Sequence, residues 1–362
     1  MRARLFSFLL GIGIGFFPLL SMVEVPASAK DAADVLAELK QLSPSERKRQ
    51  LLAGARKEGK VVYYGSGNVR DNQELIRGFK KSYPFIEVEY SGGGGSRVVQ
   101  RTHTEFVAKH YVVDVVNANA FRMPTLLKLG VLGKYESPHQ RDLAKELVDP
   151  KGVLSPLYTT AIAIGYNTAQ VKPQQVPKSY SDLLKIEWKG RKMALDTEAH
   201  SWFMGILGTM GEKKGLQYAR RLAAQELIRR RGHTLMAQLL AVGEYVIQVE
   251  AYLHVLIGLK QKGAPVNYVI TDPVILRPPS ALALAKKAPH PHAAALFIDY
   301  MLGPDEGQEI IAGQDRWPSN RKTPPKVDLG DVRIWAPVLD EWLPKQAEVL
   351  GKFDEIFGAR AR

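Results

Sequence analysis

The chain has 362 residues, 45% hydrophobic and 24% charged, with a net charge of +13 and no cysteine. That composition suits a folded chain long enough for two cores and excludes a disordered one. The lack of cysteine rules out thiol catalysis, Cys-ligated zinc and iron–sulfur clusters.

The elements follow in chain order. Arg2 and Arg4 precede the apolar run FSFLLGIGIGFFPLL, and Ala27-Ser28-Ala29 offers a small-residue cleavage site. Residues 1–29 therefore read as a cleavable secretory signal peptide. The run from Leu5 to Leu20 is shorter than the roughly 20 residues a span needs, and glycines and Pro18 interrupt it. The mature protein is expected in the periplasm, without a cysteine to carry a lipid.

Residues 30–59 form a helical extension, opened by Ser43 before Pro44. KVVYYGSG is a strand running into a glycine loop. DNQELIRGFKKSY is a helix, with Asp71 and Glu74 as its capping box. FIEVEY alternates as a second strand, SRVVQRTHTEFVAKH is a second helix, and YVVDVVNAN is a buried third strand. Strand–helix–strand order implies parallel, right-handed crossovers. The loop SGGGGSR at 91–97 lies between a strand and a helix, so it is a site candidate and not a linker. Ser96 is expected to cap the helix, with Arg97 at its first position.

Further on, LYTTAIAIGYNT reads as one long strand, and EYVIQVE as another. SWFMGILGTMG, KGLQYARRLAAQEL, HTLMAQLLAVG and AYLHVLIGLKQKG read as helices. APVNYVI and PVILRPPSALALAK are strands, HPHAAALFIDYML is a helix with His290 and His292 at its start, and the tail from Pro337 is one amphipathic helix. The basic runs ERKRQ at 46–50 and IRRR at 228–231 read as solvated helix faces. With export and no basic stripe interleaved with aromatics, nucleic acid is not an expected partner.

Chemical motifs are sparse. There is no G-x-S-x-G, H-E-x-x-H or P-loop GK[ST]. GSGNVR and SGGGGSR both follow strands and precede helices, where α/β sheets bind ligands and helix N-termini favour anions.

Taken in order, VVYYGSG, VVDVVNANAF, IAIGYNT, VPKSYSDLLKIEWKGRKMALD, LLAVGEYVIQ and APHPHAAALFIDYMLGPDEGQ resemble the extracellular solute-binding proteins of bacterial ABC importers, in the group that contains ferric-iron-binding periplasmic proteins. The resemblance spans roughly 60–320. It implies an α/β two-lobe type II periplasmic-binding fold, with mostly parallel mixed sheets flanked by helices. Lobe 1 would comprise 60–155 plus 275–325, lobe 2 would comprise 156–274, and 326–362 would be a C-terminal helical segment. It implies a monomer that is not an enzyme, has no cofactor, and hands its ligand to an inner-membrane permease. An exported enzyme on the same fold is the alternative.

By position, the resemblance places Ser66, Gly67, Asn68, Gly95, Ser96, Arg97, Asn117, Asn119, His200, Ser201, Trp202, Glu250 and Tyr252 at the ligand. Tyr252, Glu250 and His200 would hold Fe3+ if iron is the cargo. The adjacent tyrosines common in that group are missing, since the region reads QVEAYLHV. Ferric iron or a ferric chelate, a carboxylate or phosphonate, and an organic cation all stay open.

Overall fold

The computed structural model describes residues 31–358. The signal peptide expected at 1–29 lies outside the described residues. Two seven-stranded sheets organise the chain. The first takes β1 (Lys60–Ser66), β2 (Glu87–Gly93), β3 (Val115–Asn119), β4 (Leu132–Gly133) and β5 (Ser155–Thr159). The second takes β6 (Ala161–Asn167), β7 (Met193–Asp196), β8 (Ile228–Arg230), β9 (Ile247–Tyr252), β10 (Val266–Val269) and β11 (Val274–Leu276). The chain then returns through β12 (Ser280–Ala285) and β13 (Trp317–Pro318) to the first sheet, and through β14 (Ile334–Trp335) to the second.

The orders are β13-β5-β12-β3-β1-β2, with β4 on β12, and β14-β11-β6-β9-β7-β8, with β10 on β6. Pairing is parallel in β2–β1–β3 and in β8–β7–β9, where helical crossovers separate the strands. It is antiparallel where β12 and β6 insert. Each sheet has its own apolar core, one built around Tyr63, Phe79 and Phe297, the other around Trp202, Phe203 and Phe353.

Two segments that read as single strands are each split between the sheets. LYTTAIAIGYNT breaks at Thr160, and PVILRPPSALALAK breaks at Arg277–Pro279. Pro278 and Pro279 carry no N–H and cannot continue a ladder. The two crossings are tied together, because Thr159 Oγ1 donates to the Arg277 carbonyl at 2.7 Å and Arg277 N donates to the Thr160 carbonyl at 3.2 Å.

Other local readings change too. The helix Val69–Ser82 is capped by Asn68, whose side chain accepts from Arg70 N at 2.8 Å, while Asp71 is engaged by Arg316. The helix Pro44–Glu58 does begin with Ser43 accepting from Glu46 N, as its sequence suggests. ERKRQ is not a wholly solvated face, since Arg47 reaches Asp299 at 3.0 Å and the Tyr135 hydroxyl at 2.6 Å. IRRR is strand β8, and Arg229 donates to the carbonyls of Leu195, Asp196 and Phe357. His290 and His292, at the start of the helix Pro291–Leu302, turn their rings to Asp114 at 2.9 Å and Glu58 at 2.7 Å. The tail is two helices, Leu339–Trp342 and Gln346–Phe357, on either side of Pro344. Val349 and Phe353 complete the core of the second sheet.

Candidate functional site

The ends of β1, β2 and β3 face the ends of β7, β8 and β9 across a cleft of about 760 Å³. Ser66, Gly67 and Asn68 follow β1, Gly93–Ser96 follow β2, and Asn119 closes β3. From the other side come Asp196 and Glu198 after β7, Arg231 and His233 after β8, and Tyr252 and His254 at the end of β9. A smaller cavity of about 290 Å³ lies behind Asn119, Arg122, Tyr252 and Arg277, with His200, Ser201 and Leu350 in its wall.

The glycines make the first wall. Gly67 has φ 95°, a conformation that favours glycine. Gly94 caps the helix Gly95–Val107, and a Cβ there would meet no atom within 4 Å, so the loop leaves open space at a helix N-terminus. Ser96 is thus not the cap. Its Oγ accepts from Arg122 Nη1 at 2.5 Å.

Charge in the cleft is nearly balanced in number, with five arginines and Lys262 against five carboxylates among the lining residues. Pairing decides what remains available. Arg70 bonds Glu74, Arg316 bonds Asp71, and Arg122 and Arg231 bond Glu198 at 2.7 and 3.1 Å. Arg277 differs. Among the described residues its guanidinium makes no ion pair or hydrogen bond, and it lies over the Tyr252 ring at 4.9 Å. It lines both cavities.

Deeper in, Glu250 and Tyr252 sit two residues apart on β9 and share a face of the sheet. His233 touches both, with Nδ1 3.3 Å from Glu250 Oε1 and its ring 3.7 Å from the Tyr252 ring centre. Burial raises the Glu250 carboxyl above its usual range. Burial opposes a charge on His233, but the Glu250 carboxylate outweighs it and the imidazole pKa is raised. Burial also pushes the Tyr252 phenol up to about 12 and drives the His254 imidazole well below its ordinary value. His254 Nδ1 is 2.9 Å from Thr160 Oγ1, at the crossing between the sheets.

The sequence-level candidates divide accordingly. Ser66, Gly67, Asn68, Gly95, Ser96, Asn119 and Tyr252 line the main cleft, and His200 and Ser201 line the rear cavity. His200 packs edge-on against Phe353, apart from Glu250's cluster with Asp196 and His233. Arg97 is exposed and lies outside both linings, at the third position of its helix and not the first. Trp202 is 0% exposed and packs on Tyr180, Tyr218 and Phe357, so it is core. Asn117 is buried and spends its amide on Ser280 and the Ala281 carbonyl. The residues that sequence reasoning missed are Arg122, Arg277, Glu198 and His233. Arg277 carried one signal, a cation followed by two prolines inside an apolar stretch.

Residues 111–337 match the family model described as bacterial extracellular solute-binding protein. No curated protein matches the chain. Among solved structures, it is similar to the periplasmic binding protein AfuA from Actinobacillus pleuropneumoniae with fructose-6-phosphate bound. That match has 20% identity and a TM-score of 0.73, and covers 83% of this chain and 98% of that one. Iron-bound HitA from Pseudomonas aeruginosa matches at 17% identity and TM-score 0.70, over 82% and 99% of the two chains. The ferric binding protein from Campylobacter jejuni matches at 19% and 0.70, over 82% and 99%. Likeness at this level is a likeness of fold.

Proposed function

The chain belongs to the bacterial extracellular solute-binding proteins, a family of transport binding proteins and not of enzymes, and we propose that its cargo is a small organic anion bearing a phosphate or carboxylate. The anion sits between the sheets, against Arg277 and the open amide end of the helix Gly95–Val107. Closure about the Thr160 and Arg277–Pro279 crossings holds it in the periplasm for an ABC permease.

The observation that carries this reading is Arg277. A half-buried guanidinium with no partner among the described residues costs desolvation energy that a bound anion repays. A cation–π contact with the Tyr252 ring, 4.9 Å from its centre, helps to hold the guanidinium there. AfuA with its phosphorylated sugar and iron-bound HitA share this fold, so the fold favours neither cargo. Ferric iron prefers anionic oxygen donors. Burial pushes the Tyr252 phenol up to about 12, and His200 turns against Phe353.

Native mass spectrometry of protein taken from its own periplasm weighs the trapped ligand. An organic anion supports the reading, and a ferric ion or an organic cation overturns it. With the anion in hand, Arg277→Ala is expected to raise its Kd about 10- to 150-fold, the equivalent of one charge-assisted hydrogen bond. An unchanged Kd removes Arg277 from the site.

A further inference from the structure

Below the anion-binding surface lies a second polar group for which that reading has no use. Asp196, at the end of β7, His233, after β8, and Glu250, on β9, each point one ligand atom at a common centre, and these atoms all lie within 4.8 Å of one another. His233 Nδ1 is 3.3 Å from Glu250 Oε1 and 3.7 Å from Asp196 Oδ2. A tetrahedral ion with bonds of about 2.0–2.2 Å sets its ligand atoms about 3.3–3.6 Å apart. The His233–Glu250 edge matches that spacing, and the His233–Asp196 edge exceeds it by about 0.1 Å.

Burial makes the arrangement unusual. Asp196 is 2% and Glu250 1% exposed, and Glu250 Oε1 makes no hydrogen bond. His233 Nδ1 makes none either, although it faces both carboxylates. Two carboxylates held this deep call for a compensating cation. Asp196 is fixed from behind, since its Oδ1 accepts from Glu198 N at 2.7 Å and its Oδ2 from Gly232 N at 2.8 Å. Those bonds orient one ligand, while Glu250 Oε1, paired with the His233 imidazole at 3.3 Å, faces the same centre. His233 and Asp196 line the cleft and Glu250 lies behind them, so a bound ion would keep a coordination position open towards the cargo space.

We propose that Asp196, His233 and Glu250 form a binding site for a divalent first-row transition-metal ion such as Zn2+, with an open position facing the cleft. One imidazole with two carboxylates suits this class of ion, and no thiolate is needed. The site is independent of the cargo assignment, because its three ligand residues all come from the protein.

The test uses the full mature chain, stripped with a chelator and dialysed. Calorimetric titration with Zn2+ is expected to give one site of micromolar affinity or better. Co2+ is expected to give visible absorption bands of tetrahedral intensity. Glu250→Gln keeps the shape and should weaken Zn2+ binding at least 10-fold, with His233→Ala doing the same. His110→Ala, which removes an exposed histidine elsewhere, should change nothing. A Zn2+-dependent rise in Tm for the unaltered chain that disappears in Glu250→Gln would confirm the assignment even if the variant is less stable. No uptake by the unaltered protein overturns the proposal, since a protonated His233 then balances the carboxylates alone. Uptake that both variants retain overturns it equally, because the ion then sits elsewhere. Anion binding measured in parallel separates the failure of this site from failure of the cargo reading.

Discussion

Glu198→Gln tests whether the two halves are latched across the cleft. Glu198 follows β7 of the second sheet, and Arg122 follows β3 of the first. Their 2.7 Å contact is well shielded, with side chains 10% and 27% exposed. Arg231 reaches the other oxygen at 3.1 Å, but its side chain is 66% exposed. The shielded contact is a charge-assisted hydrogen bond of about 1.5–3 kcal/mol. The exposed one belongs to the same sheet as Glu198 and contributes at most about 1 kcal/mol. Replacing the carboxylate with an amide removes the charge and keeps the volume. The ratio of open to closed molecules should then rise about 10- to 150-fold without cargo. Cargo affinity is a poor readout here, since the change also removes a negative charge beside the anion. Conformation is the direct one. The chain has no native cysteine, so a Lys81→Cys, Lys213→Cys pair places one dye on each half without background labelling. Single-molecule energy transfer should show the long-distance population growing in Glu198→Gln, whereas Arg231→Ala should leave it nearly unchanged. Equal distance distributions in Glu198→Gln and the parent would refute the latch.

Two other outcomes follow from the geometry. Trp202→Ala should cost about 3–5 kcal/mol, as for other fully buried aromatics, and lower Tm while leaving the cargo Kd of the folded fraction unchanged; a large Kd change at constant Tm would return Trp202 to the site. His290 has a raised pKa, chiefly through its hydrogen bond to buried Asp114. Its stabilisation should be complete below pH about 6.5 and decline as pH rises through the higher folded value. Chemical denaturation against pH should show that decline, and His290→Gln should flatten it; a parent curve no steeper than the variant's would remove His290 as the source.

What was legible in the sequence was local. The Ser43 cap, the first three strands and their glycine loops depend on neighbours within a few residues, and these stand in the structure. What was not legible depends on which sheet a strand joins. LYTTAIAIGYNT has unbroken strand character, yet it changes sheets at Thr160, because its two halves pair with β12 and β9 and nothing local records that choice. The charged run IRRR looks unlike a strand, but Arg229 covers its charge with three carbonyls from distant segments. Arg97 was chosen because it follows the glycines. Helical geometry turns it outward, and the cations that line the cleft, Arg122 and Arg277, come from segments far along the chain. Glu250 came from the family resemblance, by position, but the residues it meets, Asp196 and His233, lie at or just past the ends of other strands.

The central place of β12 has a consequence for how the chain acquires its structure. β12 joins β3 to β5, so the first sheet cannot close until residues 280–285 are available, and the helix Pro44–Glu58 must wait for Asp299 to receive Arg47. The contact between Arg47 and Asp299 spans 252 residues. The middle of the second sheet, β6 with β7, β8, β9 and β10, is encoded entirely between 161 and 269. A chain emerging N-terminus first can therefore assemble its second sheet before its first, holding the β3 edge unpaired meanwhile. Such an edge pairs readily with strands of other chains. Slow emergence of the last eighty residues is thus the stage at which this protein is most exposed to aggregation, and folding aids that shield strand edges should raise its yield most at that stage.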